Sequence, residues 1–170
     1  MTQQTEHASV KRVRKELESH GIATEIRHLS DTARTAIDAA NVLEVEVGQI
    51  ASSIVFKIDT EQGERPLLVV TSGRHRVDTE MVAKALGVPK LGRADADFVR
   101  LWSGFAIGGV SPIGWLHDGE VLQPQTLVDN SLSEYEVVWA ACGHTHVVCS
   151  LDFESLLKIT AGTALTVSAD

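Results

Sequence analysis

Two apolar runs rich in branched residues, Ile50 to Asp59 and Pro66 to Thr71, are separated by a polar stretch, Thr60-Glu61-Gln62-Gly63-Glu64. Val, Ile and Thr are stiff about χ1 and fit a pleated, half-buried surface. With a glycine in the polar stretch, the pattern predicts two strands joined as a hairpin. The elements around that pair are helices and short strands without strict βαβ alternation, which makes the chain a mixed α+β domain.

The remaining elements follow from caps and periodicity. Ser9 is placed to cap a helix to about His20, with Val10, Val13 and Leu17 on one stripe and Gly21 at its end. Ile22 to Leu29 reads as a strand and Thr32 to Val42 as a helix capped at Ser30 or Asp31. After the Ser72-Gly73-Arg74-His75 loop, Asp78 caps a helix to Leu86 with Met81, Val82, Ala85 and Leu86 inward. Lys90 to Gly92 reads as a short strand and Asp95 to Trp102 as a short helix. Trp115 to Leu122 is a hairpin about Asp118-Gly119. Val137 to Cys142 and Val147 to Leu151 are strands joined over Gly143; Asp152 caps a helix over Phe153 to Thr160, ended by Gly162; Leu165 to Ser168 adds a last strand.

The 170 residues fit one domain, residues 1–170, with about residues 1–21 as an N-terminal helix. At 44% hydrophobic and 22% charged the composition is that of a soluble globular chain. No apolar run approaches the roughly 20 residues that span a bilayer, and Met1 to His7 has no apolar signal core, so a cytoplasmic protein without a membrane partner is expected. A net charge of −8 argues against non-specific coating of nucleic acid, though not against gripping the end of an RNA. Only Cys142 and Cys149 are present, too few for a disulfide framework.

The stretch most suited to chemistry is Phe105-Ala106-Ile107-Gly108-Gly109-Val110-Ser111-Pro112-Ile113-Gly114. Glycines leave backbone N–H groups bare and allow close approach, and proline fixes the exit. Such a loop can hold a carbonyl or phosphate oxygen without a charged side chain.

That loop is one of a series of landmarks in a fixed order. Before it come Gln49-Ile50-Ala51-Ser52-Ser53-Ile54-Val55-Phe56, Thr71-Ser72-Gly73-Arg74-His75-Arg76-Val77-Asp78 and Ala94-Asp95-Ala96-Asp97-Phe98-Val99. After it come Val138-Trp139-Ala140-Ala141-Cys142-Gly143 and Leu156-Leu157-Lys158-Ile159-Thr160. In this order, from about Ile22 to Asp170, the chain resembles the YbaK/EbsC family of aminoacyl-tRNA deacylases, which includes the editing domains associated with prolyl-tRNA synthetase. The resemblance implies a compact α+β fold around a mixed, barrel-like sheet with flanking helices. It implies hydrolysis of the ester between a wrong amino acid and the terminal adenosine of tRNA, with no metal or cofactor. It makes the backbone of Gly108 and Gly109 the catalytic element, with Val110, Ser111 and Pro112 binding substrate and Asp129 close to the pocket. The implied partners are the 3′ end of an aminoacyl-tRNA and a synthetase.

The sequence departs from the family at one place. The lysine of the family's Gln-Ile strand aligns with Ser52, which offers one donor and no charge where lysine offers three and a positive charge. Lys57 has the opposite parity and is expected to face solvent, away from the pocket. Two readings stay open: a deacylase using Ser52, the glycine loop and Arg74 or His75 for substrate, or a weak or inactive member. The latter would bind aminoacyl-tRNA, a synthetase or a small amino-acid derivative.

Cys142, His144, His146 and Cys149 invite a zinc or thiol reading, but Gly143 suggests a turn and the spacing is not that of a structural zinc site, so both cysteines are expected in the core. Asp95 and Asp97 are expected at a helix start rather than in acid–base work. Trp102, Trp115 and Trp139 are expected in the core or at its rim.

Overall fold

The computed structural model describes residues 6–169; the polar segment Met1 to Thr5 lies outside them. The predicted hairpin is the centre of the molecule. β2 (Ile50–Thr60) and β3 (Gly63–Ser72) pair antiparallel along their whole length, from Ala51 opposite Ser72 to Thr60 opposite Gly63. Around them lie β1 (Ile26–His28), β7 (Gln125–Asp129), β8 (Val138–Ala141), β9 (Val147–Leu151) and β10 (Thr163–Leu165). The order is β1-β9-β8-β2-β3-β7-β10, and β4 (Gly92–Arg93) also pairs with β2. Contacts β2–β8, β3–β7 and β7–β10 are parallel and the others antiparallel, so the eight-stranded sheet is mixed. The end strands β1 and β10 do not pair with each other, so the sheet is open rather than closed into a barrel.

β3 explains its own sequence. Leu68 and Val70 enter the larger core with Val10, Val13, Leu17, Phe105, Trp115 and Val138, whereas Leu67 and Val69 enter a second core with Ile58, Val82, Leu127 and Val167. A strand covered on both faces reads as a continuous apolar run. Each such side chain contributes about 1.5–3 kcal/mol when fully buried.

The helices are α1 (Ala8–Ser19), α2 (Ala36–Leu43), α3 (Thr79–Leu86), α4 (Ala96–Ser103) and α5 (Phe153–Thr160). Asp78, Asp95 and Asp152 cap their helices as expected, each accepting from a backbone N–H within the first turn. α1 is capped instead by His7, whose Nδ1 accepts from Ser9 N–H at 3.1 Å. α2 starts later than predicted because Thr35 and Asp38 form a capping box, which satisfies two orphan donors at once. In α3, Val82 and Ala83 are buried and Leu86 packs against the second core as expected, whereas Ala85 is exposed. β5 (Trp115–His117) and β6 (Glu120–Leu122) form the expected hairpin, with Asp118 and Gly119 both at positive φ.

Other expectations shift. The first strand is only Ile26–His28, and the short strand at Lys90–Gly92 is Gly92–Arg93. The last strand is Thr163–Leu165, not Leu165–Ser168, and α5 ends at Ala161, held in the left-handed region at φ 51°. β7 has no counterpart in the sequence reading. Among the described residues no helix is long and apolar enough to cross a membrane.

Candidate functional site

The glycine loop sits in a fork of the sheet. β2 pairs with β8 only at Ile50–Trp139 and Ala51–Ala140, and with β4 only at Phe56 and Lys57. Between these contacts the outer edge of β2, from Ser52 to Val55, has no strand partner among the described residues. The loop enters this gap, and a cleft of about 390 Å³ opens there, in the size range of small-ligand pockets. Its lining includes Ser52, Ser53, Ile54, Gly108, Val110, Trp139 and His146.

The loop's own geometry divides its residues. Gly109 N–H is used inside the loop, donating to Ala106 O at 3.0 Å. A Cβ on Gly109 would lie 2.8 Å from the Cα and C of His144, so only glycine allows this approach to the 143–146 turn. Gly108 has φ +93°, with Thr145 Oγ1 3.8 Å from where its Cβ would be. Among the described residues no acceptor takes the N–H of Gly108 or Val110. These two line the cleft, and Gly109 does not. Ser111 and Pro112 are turned into the core: Ser111 Oγ accepts from Ile113 N–H, its carbonyl accepts from Trp115 Nε1 at 2.7 Å, and the Pro112 carbonyl accepts from Gln123. They fix the loop's exit and do not line the cleft.

Ser52 and Ser53 both line the cleft although they alternate faces, because the strand edge between them is open. Ser53 Oγ is buried and has no hydrogen-bond partner among the described residues. An unpaired buried hydroxyl costs roughly 1–3 kcal/mol, so it calls for an explanation at a ligand site. Lys57 is not solvent-facing as expected: it is half-buried and its Nζ lies 5.1 Å from the Phe98 ring centroid on α4, outside the cleft lining.

The sequence offers His146 only as a metal or thiol partner. It lines the cleft at φ +66°, a strained backbone for a residue with a Cβ. Its Nδ1 lies 3.1 Å from Ala33 O. A carbonyl only accepts, so Nδ1 carries a proton, and in the neutral ring the lone pair is on Nε2. Among the described residues, His146 and Arg34 are the titratable side chains that line the cleft, and no carboxylate lines it.

The aminoacyl-tRNA editing domain family model matches residues 30–159. The chain belongs to the aminoacyl-tRNA editing domain family. It is similar to a crystal structure of a proposed trans-editing enzyme for prolyl-tRNA synthetase, with TM-score 0.84 and 32% identity over 98% of this chain and 100% of that one. It is 27% identical to the protein YwhH of Bacillus subtilis over 89% of this chain and 91% of YwhH. It is also 33% identical to a proline–tRNA ligase of Limosilactobacillus fermentum over 56% of this chain but 17% of the ligase.

In this editing domain, Arg74, His75 and Asp129 lie outside the cleft lining. Arg74 pairs with Glu134 and contacts Tyr135 Oη. Asp129 is 2% exposed and accepts from Ser72 N–H, His75 Nδ1 and Ser131 N–H at 2.9–3.0 Å. Burial pushes its carboxyl up, but the hydrogen bonds from His75, Ser72 and Ser131 outweigh it and hold Asp129 below the ordinary aspartate value. Ser131, His75 and Asp129 superficially suggest a nucleophilic triad. Ser131 Oγ and Asp129 both approach the same nitrogen, Nδ1, whereas a triad places them on opposite ring nitrogens. The cluster ties β3, β7 and the turn after β7 together.

Cys142 and Cys149 are buried in the larger core, and contact with Cys142 together with burial pushes the Cys149 thiol up. His144 stacks on His7 with ring centroids 4.2 Å apart. Among the described residues no three His, Cys, Asp or Glu come together to hold a metal.

Proposed function

We propose that this domain acts in trans to hydrolyse the ester of a mischarged aminoacyl-tRNA. The observation that carries the reading is the pair of unengaged N–H groups, Gly108 and Val110, in a cleft that contains two serine hydroxyls and one imidazole but no carboxylate. Those N–H groups receive the ester carbonyl and the oxyanion it becomes, a contribution worth about 2.7–4 kcal/mol per donor lost. Water attacks the carbonyl carbon and passes a proton to His146 Nε2. The tetrahedral intermediate then breaks the bond to the ribose oxygen, which leaves with that proton. Ser53 and Ser52 orient the aminoacyl group from the β2 side, and Arg34 at the mouth meets the backbone of the tRNA end. Relatives named for prolyl-tRNA synthetase and proline–tRNA ligase support that system as the source of substrate. The expected setting is the cytoplasm.

A second reading has its own observation. The position where the resemblance puts a lysine holds Ser52, so the cleft lacks a central positive charge, and the domain would bind the aminoacyl end without fast turnover. Incubation of the wild type and Ser52→Lys with a panel of mischarged tRNAs separates the two. Hydrolysis well above buffer by the wild type supports the deacylase; none for any tRNA refutes it. A large gain in Ser52→Lys over a slow wild type favours the binding reading.

A further inference from the structure

Beside the cleft, α1 lies outside the residues matched by the editing-domain model, yet it touches both walls of the glycine loop. Arg12 Nε donates to Gly114 O, at the loop's exit, at 2.7 Å. Its guanidinium carbon stands 4.7 Å from the centroid of Phe105, at the loop's entry. Its Nη2 would come within 3.3 Å of a Cβ on Gly104, just before that entry. One side chain thus grips the loop at both ends. Its neighbours brace the opposite wall: a Cβ on Gly143 would lie 2.7 Å from Ser9 O and 3.1 Å from Val13 Cγ2. Gly143 opens the turn against which Gly109 rests.

The geometry points to Arg12 as a positioning residue that sets where the Gly108 and Val110 N–H groups stand in the cleft. The inference rests on the proposed hydrolysis for its kinetic arm only. For stability, the hydrogen bond and ring contact of this arginine are set against a burial cost. Nη2 is buried without a partner among the described residues, and burial lowers the guanidinium's proton affinity. An apolar side chain of similar length would fill the site without stranding a donor. What it would lose is the directed bond to Gly114 O and the planar stack on Phe105, which together fix the span between the loop's ends.

The test uses Arg12→Met and Arg12→Lys in the full chain, with three readouts. Thermal melts are expected to place Arg12→Met within about 4 °C of the wild type. Hydrogen exchange is expected to show the Gly109 amide, bonded to Ala106 O within the loop, exchanging at least about tenfold faster while the amides of β3 are unchanged. Single-turnover deacylation is expected to show kcat falling about 10- to 100-fold with KM within a factor of about three, since misplacement of order 1 Å costs about that much. Arg12→Lys keeps the charge over Phe105 but not the fork, and is expected to be intermediate. Wild-type exchange in the loop overturns the inference, as does uniform acceleration across the core. If the wild type hydrolyses nothing, the proposed function falls while the exchange readout still decides the role of Arg12.

Discussion

Gly109→Ala is the sharpest perturbation of the loop because its neighbours are all backbone. The added Cβ would meet His144 Cα and C at 2.8 Å and Thr145 N at 2.9 Å. Ordinary contacts there need about 3.4–4 Å, so one wall must move by roughly 0.5–1 Å. The turn resists: Cys142 N–H donates to Val147 O at 2.9 Å, Leu29 N–H donates to His146 O at 2.6 Å, and Gly143 is wedged against Ser9. Overpacking of this kind costs about 1–3 kcal/mol, which for a chain of this length lowers Tm by about 2–12 °C. If the loop moves instead, the Gly108 and Val110 N–H groups leave their places, and kcat falls about 100-fold. Gly108→Ala is the control: its cost is mainly backbone strain at φ +93°, about 1–2 kcal/mol, because the space for a Cβ is open. Thermal melts and single-turnover deacylation of both variants, with exchange of residues 143–146, check the argument. A Gly109→Ala variant with wild-type Tm, kcat and exchange would refute the contact between loop and turn.

Other outcomes follow from individual groups. Ser53→Ala removes a buried hydroxyl without a partner, so Tm is expected to stay or rise by about 2–4 °C while kcat/KM for mischarged tRNA falls about 3- to 10-fold; a fall in both would mean the hydroxyl is structural. His146→Gln is expected to reduce the single-turnover deacylation rate about 100-fold or more with Tm unchanged; an unchanged rate removes His146 from the chemistry. Asp129→Asn is expected to cost about 2–4 kcal/mol in urea unfolding at pH 7, since a buried acceptor of several donors is weakened. Asp129's folded value lies below its unfolded value, so its stabilisation is present above the unfolded value and is lost as pH falls through the folded one. The variant should therefore lose part of the acid dependence, and an unchanged dependence would be contrary. Burial and then the neighbouring His7, His146 and His28 lower His144's proton affinity, so the unfolded chain takes the proton first and stability declines as pH falls below about 6.5. His144→Gln should reduce that decline in melts between pH 7 and 5.

What could be read from the sequence was whatever a short segment decides for itself. Asp78, Asp95 and Asp152 announce their helices because a cap is a contact within one turn. The β2–β3 hairpin is legible because its run of branched residues exceeds what any competing element could use. α2 was started too early because Ser30 and Asp31 mimic a cap that Thr35 and Asp38 actually provide. β7 was missed because five residues, inserted parallel to β3 and β10, gain their identity only from those neighbours. The same division runs through the site. Gly108 and Val110 are local in origin, whereas Ser53 and His146 become cleft residues only through the fork between β2 and β8 and a left-handed turn. Ser111 and Pro112 look identical to ligand contacts in one dimension and are turned away by Trp115 and Gln123.

The gap in β2 also acts as a ruler. Its ends are pinned by ladder contacts at Ala51 and Phe56, so its length along the strand, about 10 Å from Ser52 to Val55, cannot change without breaking the sheet. Its width has no such restraint, being set by how far Ile107, Gly108 and Val110 stand from the strand. Under the proposed function, selection among amino acids in such a slot would be by breadth rather than by reach. A branched side chain is sensed at once, while an unbranched one of equal volume can lie along the groove. Substrate range could then drift through loop residues alone, leaving every strand pairing intact.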